Sequence, residues 1–162
     1  MKYYIKQKVF TLKDKFTVKD ETGSDIFYVE GEFFSIGKKL HLYTMDGTEQ
    51  AYIHQKVMSI LKRYIVECSG GSAEIVKEFT LLTPKYSVKG PGWTVDGSLT
   101  KHDYNICYGR SAVASVKKAW FTWGDSYEIE IADGVDEVLA IAVVLAIDCA
   151  TSDDGASTSS TS

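Results

Sequence analysis

The side chains able to carry chemistry are thinly spread along this chain. His41, His54 and His102 fall in separate segments and share no motif. His54 alternates with Ile53, as a surface residue on a strand does. Cys107 follows His102 closely, but an extended segment separates a thiol from such a base, and neighbouring Ile106 marks a core thiol. Gly109-Arg110-Ser111-Ala112 lacks the second glycine of a nucleophile elbow. No group of His, Cys, Asp and Glu has metal-ligand spacing, and there is no glycine-rich phosphate loop. Catalysis, a metal and a cofactor are therefore not expected. What remains are basic side chains, at Lys38/Lys39, Lys56, Lys62/Arg63 and Lys117/Lys118, and one acid, Asp148, placed directly after an apolar run. No Lys or Arg follows Lys118, so the body is positive and the C-terminal part negative, a distribution that permits an anionic partner for the body. Charges that only solvate the outer faces of strands give the same pattern.

The elements that must position these residues are strands. Abundant Tyr and Phe favour sheet, and turn clusters recur: Asp20-Glu21-Thr22-Gly23, Asp46-Gly47, Ser69-Gly70-Gly71, Asp96-Gly97, Trp123-Gly124-Asp125. Gly90-Pro91-Gly92 is further turn chemistry. Asp-Gly between apolar runs signals a hairpin, because glycine takes positive φ without a steric penalty. Apolar residues alternate on either side, as in Phe16/Val18, Leu40/Leu42 and Tyr64/Val66. The strands predicted are 3–10, 14–20, 25–31, 33–36, 38–44, 49–55, 62–68, 73–80, 82–88, 92–96, 103–108, 111–119 and 126–131, with 57–61 either a turn or a short helical piece. So many strands in one small domain must close on themselves or pack as two sheets, since open edges invite aggregation.

The pattern changes near the C-terminus. Asp133 is the expected helix cap, with Asp136 and Glu137 in the first turn, near the positive end of the helix dipole. Val138 to Ile147 is apolar without interruption and covers every side of a helix, so that helix must be buried. It is too short to span a bilayer, which needs about 20 apolar residues, so its place is a protein core. Asp148 is expected to emerge beside it and accept backbone hydrogen bonds. The polar segment 151–162 has no apolar anchor and is expected to be a disordered tail. Three cysteines, Cys68, Cys107 and Cys149, are odd in number and form no Cys-x-x-Cys pair, which points to reduced thiols in a cytoplasm. The N-terminus lacks a signal-peptide core, so export is not expected.

The stretches Gln7-Lys8-Val9-Phe10, Phe16 to Val29, Trp93-Thr94-Val95-Asp96-Gly97, Trp120 to Ile129 and Leu139 to Cys149 together resemble the LURP-one-related (LOR) family, relatives of the tubby C-terminal domain and the phospholipid scramblases. The resemblance covers residues 3–150. It implies a mainly β fold, a closed barrel of roughly twelve antiparallel strands around a buried hydrophobic C-terminal helix at about 134–149. The expected organisation is one such domain over 1–150 and a tail thereafter. A helix filling the barrel leaves no interior for a substrate. Tubby-type domains bind phosphoinositides through basic residues, so the resemblance makes anionic phospholipid head groups the leading ligand. Lys56, Lys62, Arg63, Lys117 and Lys118 are the candidate contacts. The scramblase hallmarks, a Pro-rich N-terminus and a palmitoylatable cysteine cluster, are missing. The resulting expectation is a non-catalytic binding module, cytoplasmic or peripheral at a membrane, with no transmembrane span. The alternative is a protein-interaction scaffold anchored by Trp120, Phe121, Trp123 and Tyr127. Nucleic-acid binding is not expected at a sequence pI near 5.4.

Overall fold

The computed structural model describes residues 1–6, 15–32, 35–78, 85–121 and 124–157. Among the described residues twelve strands follow one another: β1 (Lys2–Lys6), β2 (Phe16–Asp20), β3 (Asp25–Gly31), β4 (Lys39–Thr44), β5 (Glu49–Gln55), β6 (Arg63–Cys68), β7 (Gly71–Glu78), β8 (Lys85–Lys89), β9 (Trp93–Ser98), β10 (Asp103–Tyr108), β11 (Ser111–Phe121) and β12 (Gly124–Ile131). One α-helix among the described residues, α1, spans Glu137–Ser157. Each strand pairs antiparallel with its sequence neighbours, and β1 closes the sheet on β12 with Tyr3 opposite Ile129 and Ile5 opposite Tyr127. Closure removes both edges, which resolves the choice between barrel and sandwich.

Alternation places one set of side chains inside. Ile5, Val18, Val29, Leu42, Ile53, Val66, Ile75, Val88, Ile106, Val116 and Ile129 all point inward and are buried. The helix fills the space they enclose: every residue of 139–150 is buried, including Ile141, Leu145 and Ile147 at 0% exposure. Helix α1 leans mainly against β5, β6 and β7. A helix apolar on all sides finds a wall on all sides.

Several expectations shift in detail. The helix cap is Asp136 rather than Asp133: its Oδ1 accepts the Leu139 N–H at 2.8 Å, while Asp133 lies exposed in a turn whose Gly134 has φ 79°. The helix continues through the segment 151–157, which the sequence reads as tail; 158–162 lie outside the described residues. Gly97 is not in a turn. It sits inside β9 at φ 124°, where an added Cβ would stand 2.5 Å from the Asp103 carbonyl oxygen and 2.7 Å from Tyr104 Cα. The chain reverses instead after β9, through the 3-10 turn Leu99–Lys101 and His102 at φ 50°. No strand occupies 35–36, which form part of a loop; Phe33, Phe34 and the stretch 7–14 lie outside the described residues. Of the two readings of 57–61 the turn holds: 57–58 form a turn in a loop that is exposed at 57, 58 and 60.

Candidate functional site

An up-and-down barrel sends alternate connections to opposite ends. The helix enters at one end, beside Met1 and the turns at 21–24, 45–48, 69–70, 90–92 and 109–110. At the other end lie residues 35–38, 56–62 and 99–102, together with the last turns of α1. Charge follows this division. Among the described connections, Glu21, Asp46, Asp133 and Asp136 stand at the helix-entry end, with Arg110 the opposing charge. Lys15, Lys38, Lys56, Lys62 and Lys101 stand on the connections at the helix-exit end, with Glu32 opposing on a connection and Asp153 and Asp154 on the last turns of α1.

Of the basic residues singled out in the sequence, the structure brings Lys56, Lys62 and Arg63 together on the β5–β6 connection and the start of β6. Glu74 on β7 lies below them, its Oε1 at 3.2 Å from Arg63 Nη1 and 3.9 Å from Lys56 Nζ. Arg63 is thus engaged with the wall of the barrel, while Lys56 and Lys62 are exposed. Lys117 and Lys118 lie on β11, five strands further round, separated from β6 by a barrel diameter of roughly 20 Å. One phosphate cannot be shared by the two groups. A flat anionic surface laid across the exit end meets the first group and Lys38 and Lys101 together.

Lys38 and Lys101 belong to this end by topology, a signal the sequence carries only once the number of strands is known. The loops holding Lys38, Lys56 and Lys62 are tied to one another: the Gln55 N–H donates to the Lys38 carbonyl at 2.9 Å, and the Lys38 N–H to Gln55 Oε1 at 3.3 Å. Lys38 Nζ donates to Ser152 Oγ at 2.8 Å, which fastens the same loop to α1. Ile36, Val57, Met58 and Ile60 project from these loops into solvent.

The histidines settle differently from the expectation of isolated residues. His41 and His54 share one ring stack on the outer wall, with Tyr52 between them at 4.7 and 4.8 Å and Tyr43 and Tyr28 continuing it. Glu32 and Glu49 hold the two nitrogens of His41, at 2.8 and 2.5 Å. Burial opposes charge on this ring, but the two carboxylates outweigh it and raise the His41 pKa above its ordinary value. His102 faces inward. Its Nε2 lies 3.2 Å from Asp148 Oδ1, without the alignment of a hydrogen bond, and its ring stacks on Tyr127 at 4.4 Å.

Asp148 therefore does not emerge at the mouth. It is 3% exposed, and the side chain of Tyr127 donates its hydroxyl to Oδ2 where backbone donors were expected. Burial first, then the neighbouring carboxylate, pushes the Tyr127 hydroxyl well above its usual range and keeps it a donor. The trio pins the second half of α1 to β12 and the start of β10. Tyr127 is 1% exposed, so it is no surface anchor for a partner. The side chains of Trp120 and Phe121, and all of Trp123, lie outside the described residues. Cys107 is half-buried rather than a core thiol, because Ile106 takes the inward position beside it, and it stands near the far end of β10 from His102, which precedes that strand.

The sequence profile of the LURP-one-related family matches residues 1–148. The chain belongs to that family. A relative in Bacillus subtilis (strain 168), described as the uncharacterized protein YxjI, is 36% identical over 146 residues, covering 90% of each chain. Among solved structures, the X-ray structure of a protein from Arabidopsis thaliana superposes with a TM-score of 0.64 at 16% identity, over 96% of this chain and 90% of that one. At that identity the likeness shows the shared fold alone. In this LURP-one-related chain, no helix among the described residues is long and apolar enough to cross a membrane.

Proposed function

We propose that the protein is a non-catalytic module that binds anionic phospholipid head groups with the helix-exit end of its barrel. The observation that carries this reading is the axial segregation of charge: lysines on the exit-end loops, carboxylates on the entry-end turns. Lysines grouped on the loops of one end attract a negative surface to those loops before contact. Lysines near an anionic leaflet contribute about 1 kcal/mol each, and the effect fades within a Debye length. Lys56 and Lys62 are the principal contacts of the five residues first considered. Arg63 supports Lys56 through Glu74, and Lys117 and Lys118 touch the surface only at the far rim.

The test is co-sedimentation with liposomes, neutral against those bearing phosphatidylserine or a phosphoinositide, at low and physiological salt. Binding confined to anionic liposomes and weakened by salt is the expected result. Reversing charge at Lys56→Glu and Lys62→Glu should weaken it by more than about thirtyfold, since losing two lysines alone is the equivalent of roughly 2 kcal/mol and the new carboxylates add repulsion. Binding that is equal on neutral and anionic liposomes, or unmoved by the double reversal, refutes the assignment.

A further inference from the structure

Building on the lipid-binding reading, we propose that the paired loops 35–38 and 56–62 insert their apolar tips past the head groups, into the hydrocarbon boundary of an anionic bilayer. Seven large hydrophobic residues are exposed among the described ones, and four of them, Ile36, Val57, Met58 and Ile60, stand on these two loops. The others, Met1, Met45 and Tyr108, are scattered around the opposite end. Met58 is 97% and Ile60 104% exposed, values that only a projecting tip reaches. The fold makes no use of them: nothing of the barrel covers them.

The two loops form one projection. A Cβ added at Gly37 would lie 3.1 Å from Val57 Cγ2 and 3.2 Å from Gln55 Cβ, so the chains already touch. Backbone hydrogen bonds fix both bases, from the Gln55 N–H to the Lys38 carbonyl at 2.9 Å and from the Lys56 N–H to the Arg63 carbonyl at 2.8 Å. Lys38, Lys56 and Lys62 stand at the bases of the two loops, on flexible stems that can carry their charges to the phosphates when the tips are submerged.

Shape and charge select the occupant. A protein partner that buried Met58 and Ile60 would have to wrap a convex tip in a deep cleft and also present anionic groups around the rim. A fluid anionic leaflet offers both without a preformed cleft. A side chain taken into the hydrocarbon boundary strengthens binding by about tenfold or more.

Two readouts test this. Met58→Trp gives a reporter at the tip, read against the wild-type protein, whose three tryptophans set the baseline. Vesicles containing phosphatidylserine and brominated phosphatidylcholine should quench the added emission. The double substitution Met58→Asp and Ile60→Asp should lower co-sedimentation about a hundredfold, with a melting temperature close to wild type because both residues are exposed. If wild-type protein binds the vesicles, yet the added tryptophan is unquenched and the double variant binds equally, insertion is overturned while the head-group reading stands. If no variant binds anionic vesicles even at low salt, both readings fall. A protein captured by wild type and lost from the double variant would then make the tips a protein contact.

Discussion

Leu145→Ala offers a direct measure of what the enclosed helix contributes. Leu145 has no exposure and sits two turns or more from either end of α1, against strands that pair continuously around the barrel. Buried Leu→Ala changes cost about 2–5 kcal/mol, with the larger values where surroundings cannot collapse into the cavity. A closed sheet is such a place, because its hydrogen-bonded circumference is fixed by strand number and stagger. The expected loss is therefore about 3–5 kcal/mol, which for a chain of this size lowers Tm by roughly 6–20 °C. The control is Val138→Ala on the same helix, where the side chain is only half-buried and the loss should be about 1 kcal/mol. Urea unfolding of both variants, with equal slopes and different midpoints, reads the difference. Equal and small losses, both near 1 kcal/mol, would refute a helix sealed inside a barrel.

Gly97→Ala should destabilise by about 3 kcal/mol or more in thermal melts, since it meets Asp103 and Tyr104 backbone at a positive φ; Gly23→Ala, at φ 84° with nothing within 4 Å, should cost only about 1–2 kcal/mol. Tyr127→Phe removes the hydroxyl that Asp148 accepts in the interior and should cost about 1.5–3 kcal/mol, more than Tyr4→Phe, whose hydroxyl meets the half-buried Glu128. Chemical denaturation of the two variants ranks them, and equal losses would argue against a buried Asp148. The ring of His41 should titrate above its ordinary value of 6.5, as read by NMR. Its folded-state pKa is the raised one, so its stabilising contribution is complete below about pH 6.5 and disappears as pH rises through the folded value. Glu32→Gln with Glu49→Gln should flatten that dependence, and an unchanged profile would place its source elsewhere.

Much of the fold is legible in the sequence because its signals are local. An apolar run with no polar face can only be enclosed, and Asp46-Gly47 between apolar runs does turn. Gly97 misleads for the same reason: Asp-Gly reads as a turn wherever it occurs, and only the nearness of β10 reveals why β9 needs a residue without a side chain. Closure of β1 on β12 leaves no local trace, since inward alternation is the same in a barrel and a sandwich. The site is less legible. Lys56 and Lys62 are visible as charges, but their grouping with Lys38 and Lys101 depends on which end each connection reaches, a property of strand parity. Ile36 reads as strand and Met58 as ambiguous, because sequence patterns assign apolar residues to a core by default. Asp148 reads as emerging because it follows the apolar run. At about 1.5 Å per residue it is still inside, and Tyr127 and His102 come to it from remote parts of the chain.

The order of elements sets a problem of timing. The segment that fills the barrel follows all the strands that enclose it, and the contact that shuts the wall joins residues as far apart as Met1 and Ile131. A sheet formed during synthesis would have an apolar inner face without its filling helix until α1 emerges. Local hairpins can form as they appear, but the cooperative step waits for the last segment, so folding should be slow and governed by long-range contacts. Between those moments the nascent chain presents the surface that holdase chaperones bind, and a stall or cleavage just before Glu137 would leave a product unable to complete itself.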